Sequence, residues 1–82
     1  MANTRFGLET EEQENCMEMV PVRSSAIRAV GYDPRRMHMR ILFEQGHAYD
    51  FCRVPAHVYR GLMDASSKGT YYNHYIRDQY PC

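Results

Sequence analysis

Two adjacent serine pairs, Ser24-Ser25 and Ser66-Ser67, and four histidines, His38, His47, His57 and His74, are the side chains best suited to nucleophilic or acid–base chemistry here. A serine hydrolase needs its nucleophile within reach of an imidazole and, on many folds, a glycine-flanked elbow around the serine. No such glycine pattern surrounds any of the four serines. Turns and helix caps explain paired serines more economically. The histidines do not sit at metal-ligand spacing. His57 has no His four residues on, and His74 has Asp78 there, which reads as a contact on a helix surface. Gly31, Gly46, Gly61 and Gly69 fall in no phosphate-cradling pattern. Cys16, Cys52 and Cys82 are odd in number, far apart and outside any C-x-x-C pair. That argues against a disulfide framework or a zinc site and for a reducing, cytoplasmic setting. The expectation is no catalytic residue, no metal and no cofactor.

Recognition chemistry is better represented. The net charge is zero, yet residues 1–19 carry −4 and residues 20–82 carry +4, with all but one cation of the latter an arginine. A basic face suits an anionic partner. Cations gathered on one side of the fold would favour nucleic acid, and an even scatter a protein partner. Near the C-terminus Tyr71, Tyr72 and Tyr75 stand beside Lys68, Asn73, His74 and Arg77. Aromatic faces with amide and positive charge suit single-stranded nucleic acid, where stacking contributes about 1–3 kcal/mol per base. The candidate nucleic-acid-binding residues are therefore Arg40, Arg60, Lys68, Tyr71, Asn73, Tyr75 and Arg77. Tyr72 and Ile76 are expected in the core, with Tyr71 or Tyr75 at its rim. A stacking platform on an open sheet face is disfavoured, because Phe43, Tyr49 and Phe51 share the parity of Met39 and Ile41.

The elements that must position these residues are short. Residues 1–19 have no apolar period and read as an acidic, disordered tail. Pro21 marks the domain boundary. A first strand is expected at about 27–33 with Val30 and Tyr32 facing the core. Ile27 has the opposite parity, so the chain either bends near Gly31 or enters strand geometry only after Ile27. Asp33-Pro34-Arg35-Arg36 is a turn. Met37, Met39, Ile41 and Phe43 then alternate with His38, Arg40, Leu42 and Glu44, the period of a half-buried strand. Gln45-Gly46 turns into a third strand at about 47–53, with Tyr49 and Phe51 on one face.

After Pro55, the expected first helical residue, Val58, Tyr59, Leu62 and Met63 recur at three and four, predicting a helix over about 55–66. Ser67 or Thr70 caps a second helix on which Tyr72, Ile76 and Tyr80 stack. The fold class is α+β: a three-stranded antiparallel meander covered on one face by two C-terminal helices, in the order β-β-β-α-α. The other sheet face carries His38, Arg40, Glu44 and Asp50. No stretch approaches the ~18 apolar residues of a membrane span. A core this small suits a monomer or a weak homodimer.

As a set, these residues resemble a known family. Val22-Arg23-Ser24-Ser25-Ala26-Ile27 leads into Val30-Gly31-Tyr32-Asp33 and then Met39, Ile41, Phe43, Gly46, Tyr49, Phe51, Val54-Pro55 and Tyr59. The chain closes on Ala65-Ser66-Ser67-Lys68-Gly69-Thr70-Tyr71-Tyr72-Asn73, Ile76-Arg77 and Tyr80. This resembles the KTSC domain, a module found at the C-terminus of some lysyl-tRNA synthetases and as stand-alone small proteins of bacteria and phages. Met39 departs from the pattern, where a branched aliphatic is more usual. The resemblance implies a KTSC-like domain over residues 20–82 and no known enzyme activity. Its motif residues carried over are Ser24, Ser25, Ser67, Gly69, Asn73, Arg77 and Tyr80. The expectation is a non-enzymatic, cytoplasmic module of bacterial or phage origin that binds RNA or single-stranded DNA. The alternative is a protein-interaction module that docks on a host enzyme.

Overall fold

The computed structural model describes residues 17–82, so the expected disordered tail of residues 1–19 lies outside them except for 17–19. Four strands form one antiparallel sheet in sequence order: β1 Val20–Pro21, β2 Ile27–Asp33, β3 His38–Phe43 and β4 Ala48–Phe51. Helices α1, Ala56–Asp64, and α2, Lys68–Tyr75, follow. The α+β architecture is as expected, with one strand more than the three-stranded reading. That strand, β1, pairs Val20 with Val30 and Pro21 with Ala29. Proline is tolerated there because β1 is an edge, where its missing N–H breaks no ladder.

Ile27 resolves its parity conflict by neither expected route. The β2–β3 register passes from Ile27↔Phe43 to Ala29↔Leu42, so Arg28 is an extra residue in a bulge. The bulge turns both Ile27 and Val30 fully inward. The turn at Asp33 forms as expected, its carboxylate accepting from the Arg35 N–H at 3.0 Å. Met37 was expected on the core face of the next strand. It instead ends that turn in the left-handed region, at φ 54°, and remains exposed. Strand β3 begins one residue later and buries Met39 and Ile41 completely. Tyr49 also departs from expectation. Phe51 is buried, but Tyr49, on the edge strand β4, is 54% exposed.

Pro55 is the N-cap of α1 rather than its first residue, and Val58 and Leu62 face the core. Ser67 caps α2, which ends at Tyr75. The expected Tyr72–Ile76–Tyr80 stack therefore stops short. Ile76 is fully buried, but the chain leaves the helix there, and Asp78 adopts φ 62°. Tyr80 reaches the core from the following turn instead. The expected His74–Asp78 helical pair fails for the same reason, and Asp78 lies 4.0 Å from Arg77.

The opposite sheet face sets a polar cluster next to an apolar cover, since Gly31 pairs with Arg40. Arg40 grips Asp50 through two hydrogen bonds of 2.7 and 3.1 Å, and His38 Nε2 lies 3.4 Å from the same carboxylate. The Arg40 guanidinium, aided by its charge and by His38, holds the Asp50 carboxyl below the usual carboxylate range, against a smaller opposing push from burial. Met17 and Met19 close over Gly31, so a β-carbon there would displace the Met19 side chain. The cysteines overturn the expectation of unpaired thiols: Cys52 and Cys82 form a disulfide. Cys52 lies just past β4, and its N–H donates to the Tyr80 carbonyl at 3.1 Å, which carries the C-terminus back to the sheet. Spacing rules see only local pairs such as C-x-x-C, whereas this pair is made by the return of the chain.

Candidate functional site

Two distant segments meet at the start of α2. Ser24 Oγ accepts from the N–H groups of Ala26, at 3.0 Å, and Ile27, at 3.1 Å, which folds the Ser24-Ser25 turn against β2. Ser67 Oγ accepts from the Thr70 N–H at 3.4 Å and donates to Thr70 Oγ1 at 2.9 Å, fixing the first turn of α2. Gly69 lets the two turns touch, since a β-carbon there would lie 3.1 Å from Ala26 Cβ. Between them is a cavity of about 320 Å³ lined by Ser24, Ser25, Ser66, Ser67, Lys68, Gly69, Thr70 and Asn73.

Every side chain in that lining is hydroxyl, amide or amine, apart from the glycine. Among the described residues, Ser25, Ser66 and Asn73 form no side-chain hydrogen bond within the fold, so their donors and acceptors are available. The N–H groups of Lys68 and Gly69 lie in the first turn, where a helix offers no carbonyl to bond. The cavity can thus donate several hydrogen bonds to one oxygen-rich group.

An aromatic shelf adjoins it. A second, more open hollow of about 420 Å³ shares Ser66, Ser67 and Thr70 with the first and adds Tyr71, His74 and Tyr75. Tyr71 is the fixed member. Its hydroxyl donates to the Val58 carbonyl at 3.1 Å, and burial, helped by the phenols of Tyr75 and Tyr80, pushes its pKa up, so it remains a protonated donor. Tyr75 packs against it with ring centroids 4.7 Å apart and is 57% exposed. Tyr75 is thus the rim tyrosine and Tyr71 the inner one.

The expected site residues divide accordingly. The structure brings together Ser24, Ser25, Ser67, Gly69 and Asn73 in the cavity, with Lys68, Tyr71 and Tyr75 around it. Lys68 contributes its stem, while its ammonium donates to the carbonyls of Met63, at 3.1 Å, and Ala65, at 2.7 Å, and so caps the end of α1. Arg40 is not in this group, being bound to Asp50 on the opposite sheet face. Arg60 is exposed on α1, and Arg77 and Tyr80 follow α2 without lining either hollow. Ser66 and Thr70 line the cavity but were absent from the expected set, although their position beside Ser67 in the sequence pointed to them.

Three of the cations are engaged in ion pairs at separate places. Arg28 pairs with Glu44 at 3.5 Å beside the bulge, Arg36 with Asp33 at 3.9 Å in the first turn, and Arg40 with Asp50 at 2.7 Å on the open sheet. The net +4 already counts these acids, but the three pairs lie in different parts of the fold. Also unforeseen is a hollow of about 280 Å³ beside β4, lined by Tyr49, Asp50, Phe51, Tyr72, Asp78, Tyr80 and Pro81.

Comparison with known proteins agrees on one family. The family model described as KTSC domain matches residues 23–80. A protein of Tsukamurella paurometabola is 37% identical over 62 residues, covering 76% of this chain and 92% of its own. The lysine–tRNA ligase of a Nostoc species is 34% identical over 56 residues, 68% of this chain but only 10% of the ligase. Among solved structures, a KTSC domain protein from Yersinia pestis matches with a TM-score of 0.74 at 36% identity, over 79% of this chain and 92% of that one.

Proposed function

We infer that this chain, which belongs to the KTSC domain family, is a non-enzymatic module that binds single-stranded RNA or DNA at the start of α2. The observation that carries the reading is the continuity of the two hollows: a hydroxyl- and amide-lined cavity shares Ser66, Ser67 and Thr70 with a shelf bearing the exposed ring of Tyr75. One nucleotide has matching parts. Its phosphate and sugar oxygens accept from Ser25, Ser66, Asn73 and the first-turn N–H groups, and a neighbouring base stacks on Tyr75. The relationship to part of a lysine–tRNA ligase accords with an RNA partner. A cytoplasmic location follows from that partner.

The pairing of three cations at separate places limits the electrostatic contribution. Contact is local, with one or two phosphates, so affinity should fall with salt at a shallow slope of about −0.7 per phosphate. The test is fluorescence anisotropy of short labelled single-stranded RNA and DNA at low salt. Binding weakened by Asn73→Ala and Tyr75→Ala but kept on Arg40→Ala is the expected result. Absence of binding to either strand and to tRNA rejects the reading.

A protein partner is the second reading, favoured by the separately paired cations and by the edge strand β4. The outer backbone of Ala48–Phe51 is unpaired among the described residues, and the hollow bordered by Tyr49 and Phe51 runs beside it. An extended segment of another protein would add there as a fifth strand. Capture of a partner from nuclease-treated lysate by the wild-type chain, abolished by a proline at Tyr49, is the outcome that would favour it.

A further inference from the structure

We propose that His38, Cys52 and Cys82 form a binding site for a thiophilic divalent cation such as Zn²⁺ when the Cys52–Cys82 disulfide is reduced. The ligand atoms already converge. His38 Nδ1 lies 3.8 Å from Cys52 Sγ, and the imidazole and both sulfurs lie within 4.8 Å of one another. Tetrahedral coordination with bonds of about 2.0 Å to nitrogen and 2.3 Å to sulfur sets nitrogen and sulfur about 3.5 Å apart, so Cys52 and His38 need little adjustment. The sheet register explains their proximity. Met39 faces Phe51 and Arg40 faces Asp50, and one step further along the ladder His38 meets Cys52.

Two surrounding features fit a metal ligand set. The other ring nitrogen of His38 faces Asp50 Oδ2 at 3.4 Å, and Asp50 is itself held by Arg40 at 2.7 Å. A carboxylate behind a ligating imidazole fixes its tautomer and orientation. Placing the proton on Nε2 leaves Nδ1 free to coordinate. The Cys52 N–H to Tyr80 carbonyl bond, 3.1 Å, keeps the C-terminal segment beside the strand after the sulfurs separate. Cys82 is exposed, which leaves the fourth position open to water. Two thiolates and a neutral imidazole exactly offset the charge of the cation, while Arg40 balances Asp50.

The disulfide and the metal are alternative uses of the same sulfurs. Reduction delivers two electrons and two protons to the Cys52–Cys82 bond. In a cell the donor is a dithiol that closes to its own disulfide; in the tube it is a phosphine, which takes one oxygen from water. The cation then displaces both thiol protons to solvent and binds the two thiolates. A reducing cytoplasm would favour the metal form, an oxidising compartment the disulfide.

The experiment is an anaerobic Co²⁺ titration of the full chain carrying Cys16→Ser, so that only Cys52 and Cys82 can supply sulfur. The phosphine-reduced protein should show a thiolate-to-cobalt charge-transfer band saturating at one equivalent and bleached by Zn²⁺, and the oxidised protein none. His38→Ala and Cys82→Ser in that background should each weaken binding by at least about tenfold, and Asp50→Asn by roughly 10–100-fold. A reduced chain without the band, or a band untouched by His38→Ala, overturns the proposal. If reduction unfolds the metal-free chain, Zn²⁺ must restore a cooperative melting transition, and failure to do so overturns it equally.

Discussion

The ring of Tyr71 occupies the space over Gly61 that a β-carbon would need. This contact, with the Tyr71 hydroxyl donating to the Val58 carbonyl, locks α2 to α1 and so sets where Tyr75 projects. Two effects oppose each other at Gly61. Alanine in a helix interior is favoured over glycine by about 1 kcal/mol, whereas overpacking costs typically about 1–3 kcal/mol. The overlap with a ring that is also hydrogen-bonded should win. Gly61→Ala is expected to lower the urea midpoint, and in a Tyr71→Ala background the same substitution should raise it. A stabilising Gly61→Ala in the otherwise intact chain would show that α2 is not held this way.

Tyr75 has no comparable structural duty. Removing a ring that is 57% exposed should leave the melting temperature almost unchanged. Its loss should weaken single-stranded nucleic-acid binding by about 1–3 kcal/mol, the contribution of one base–aromatic stack. Tyr75→Phe should retain the affinity, because the face and not the hydroxyl does the stacking. Parallel anisotropy and thermal melts on the two variants separate these outcomes.

The motif serines divide by role. Ser67 caps α2 and Ser24 ties its turn to β2, so Ser67→Ala should cost about 1 kcal/mol of stability, the usual worth of an N-cap. Ser25 holds nothing in the fold by its side chain among the described residues, although it lines the same cavity. Ser25→Ala should therefore spare stability and reduce nucleic-acid affinity. Equilibrium denaturation and binding titrations on both variants check the division.

Which parts of this arrangement could be read beforehand depends on how far each contact reaches along the chain. The Asp33 turn, the alternation through Met39 and Ile41, and the Ser67 cap are local, and all three appear where spacing places them. Some errors are local, as at Met37, which ends the turn instead of opening the strand; the larger ones are long-range. Tyr49 shares the parity of Phe51, but it stands on the edge strand, a position that parity does not reveal. The bulge at Arg28 and the strand Val20–Pro21 exist through their pairing with partners elsewhere. The candidate site was half legible. Family resemblance grouped Ser24, Ser25, Ser67, Gly69 and Asn73, but only the fold shows that the close approach of Gly69 to Ala26 makes them walls of one cavity. Arg40 joined the expected set through its charge alone, and only the register exposes its pairing with Asp50.

That pairing gives a pH signature. The Asp50 carboxyl is held low chiefly by its hydrogen bonds from Arg40. In the unfolded chain it returns to about 3.9. A carboxyl with a lowered folded pKa contributes stability that is fully present above the unfolded value. That contribution is lost as the pH falls through the folded one. The stability difference between the wild type and Asp50→Asn should thus be present at about pH 5 and shrink below about pH 4. The pair is partly exposed, with Asp50 39% accessible, so the difference should be small and should diminish in salt. A difference that grows as the pH falls below about 4 would contradict the assignment.

The disulfide predicts a larger effect on the same sheet. Cys52 and Cys82 are 30 residues apart in sequence. Closing a loop of that length in the unfolded chain should contribute about 3–4 kcal/mol on the chain-entropy account. The folded chain holds a second tie at the same place, the hydrogen bond from Cys52 N–H to the Tyr80 carbonyl. Breaking the covalent link should therefore lower stability without releasing Tyr80 from the core. Cys82→Ser under oxidising conditions and the wild type under metal-free reducing conditions should show the same reduced denaturant midpoint. Hydrogen exchange at Cys52 should remain slower than at an exposed amide in both. If only the serine variant loses stability, the pair is not disulfide-linked in solution. If Cys52 exchanges freely, the covalent bond alone holds the C-terminus to the strand.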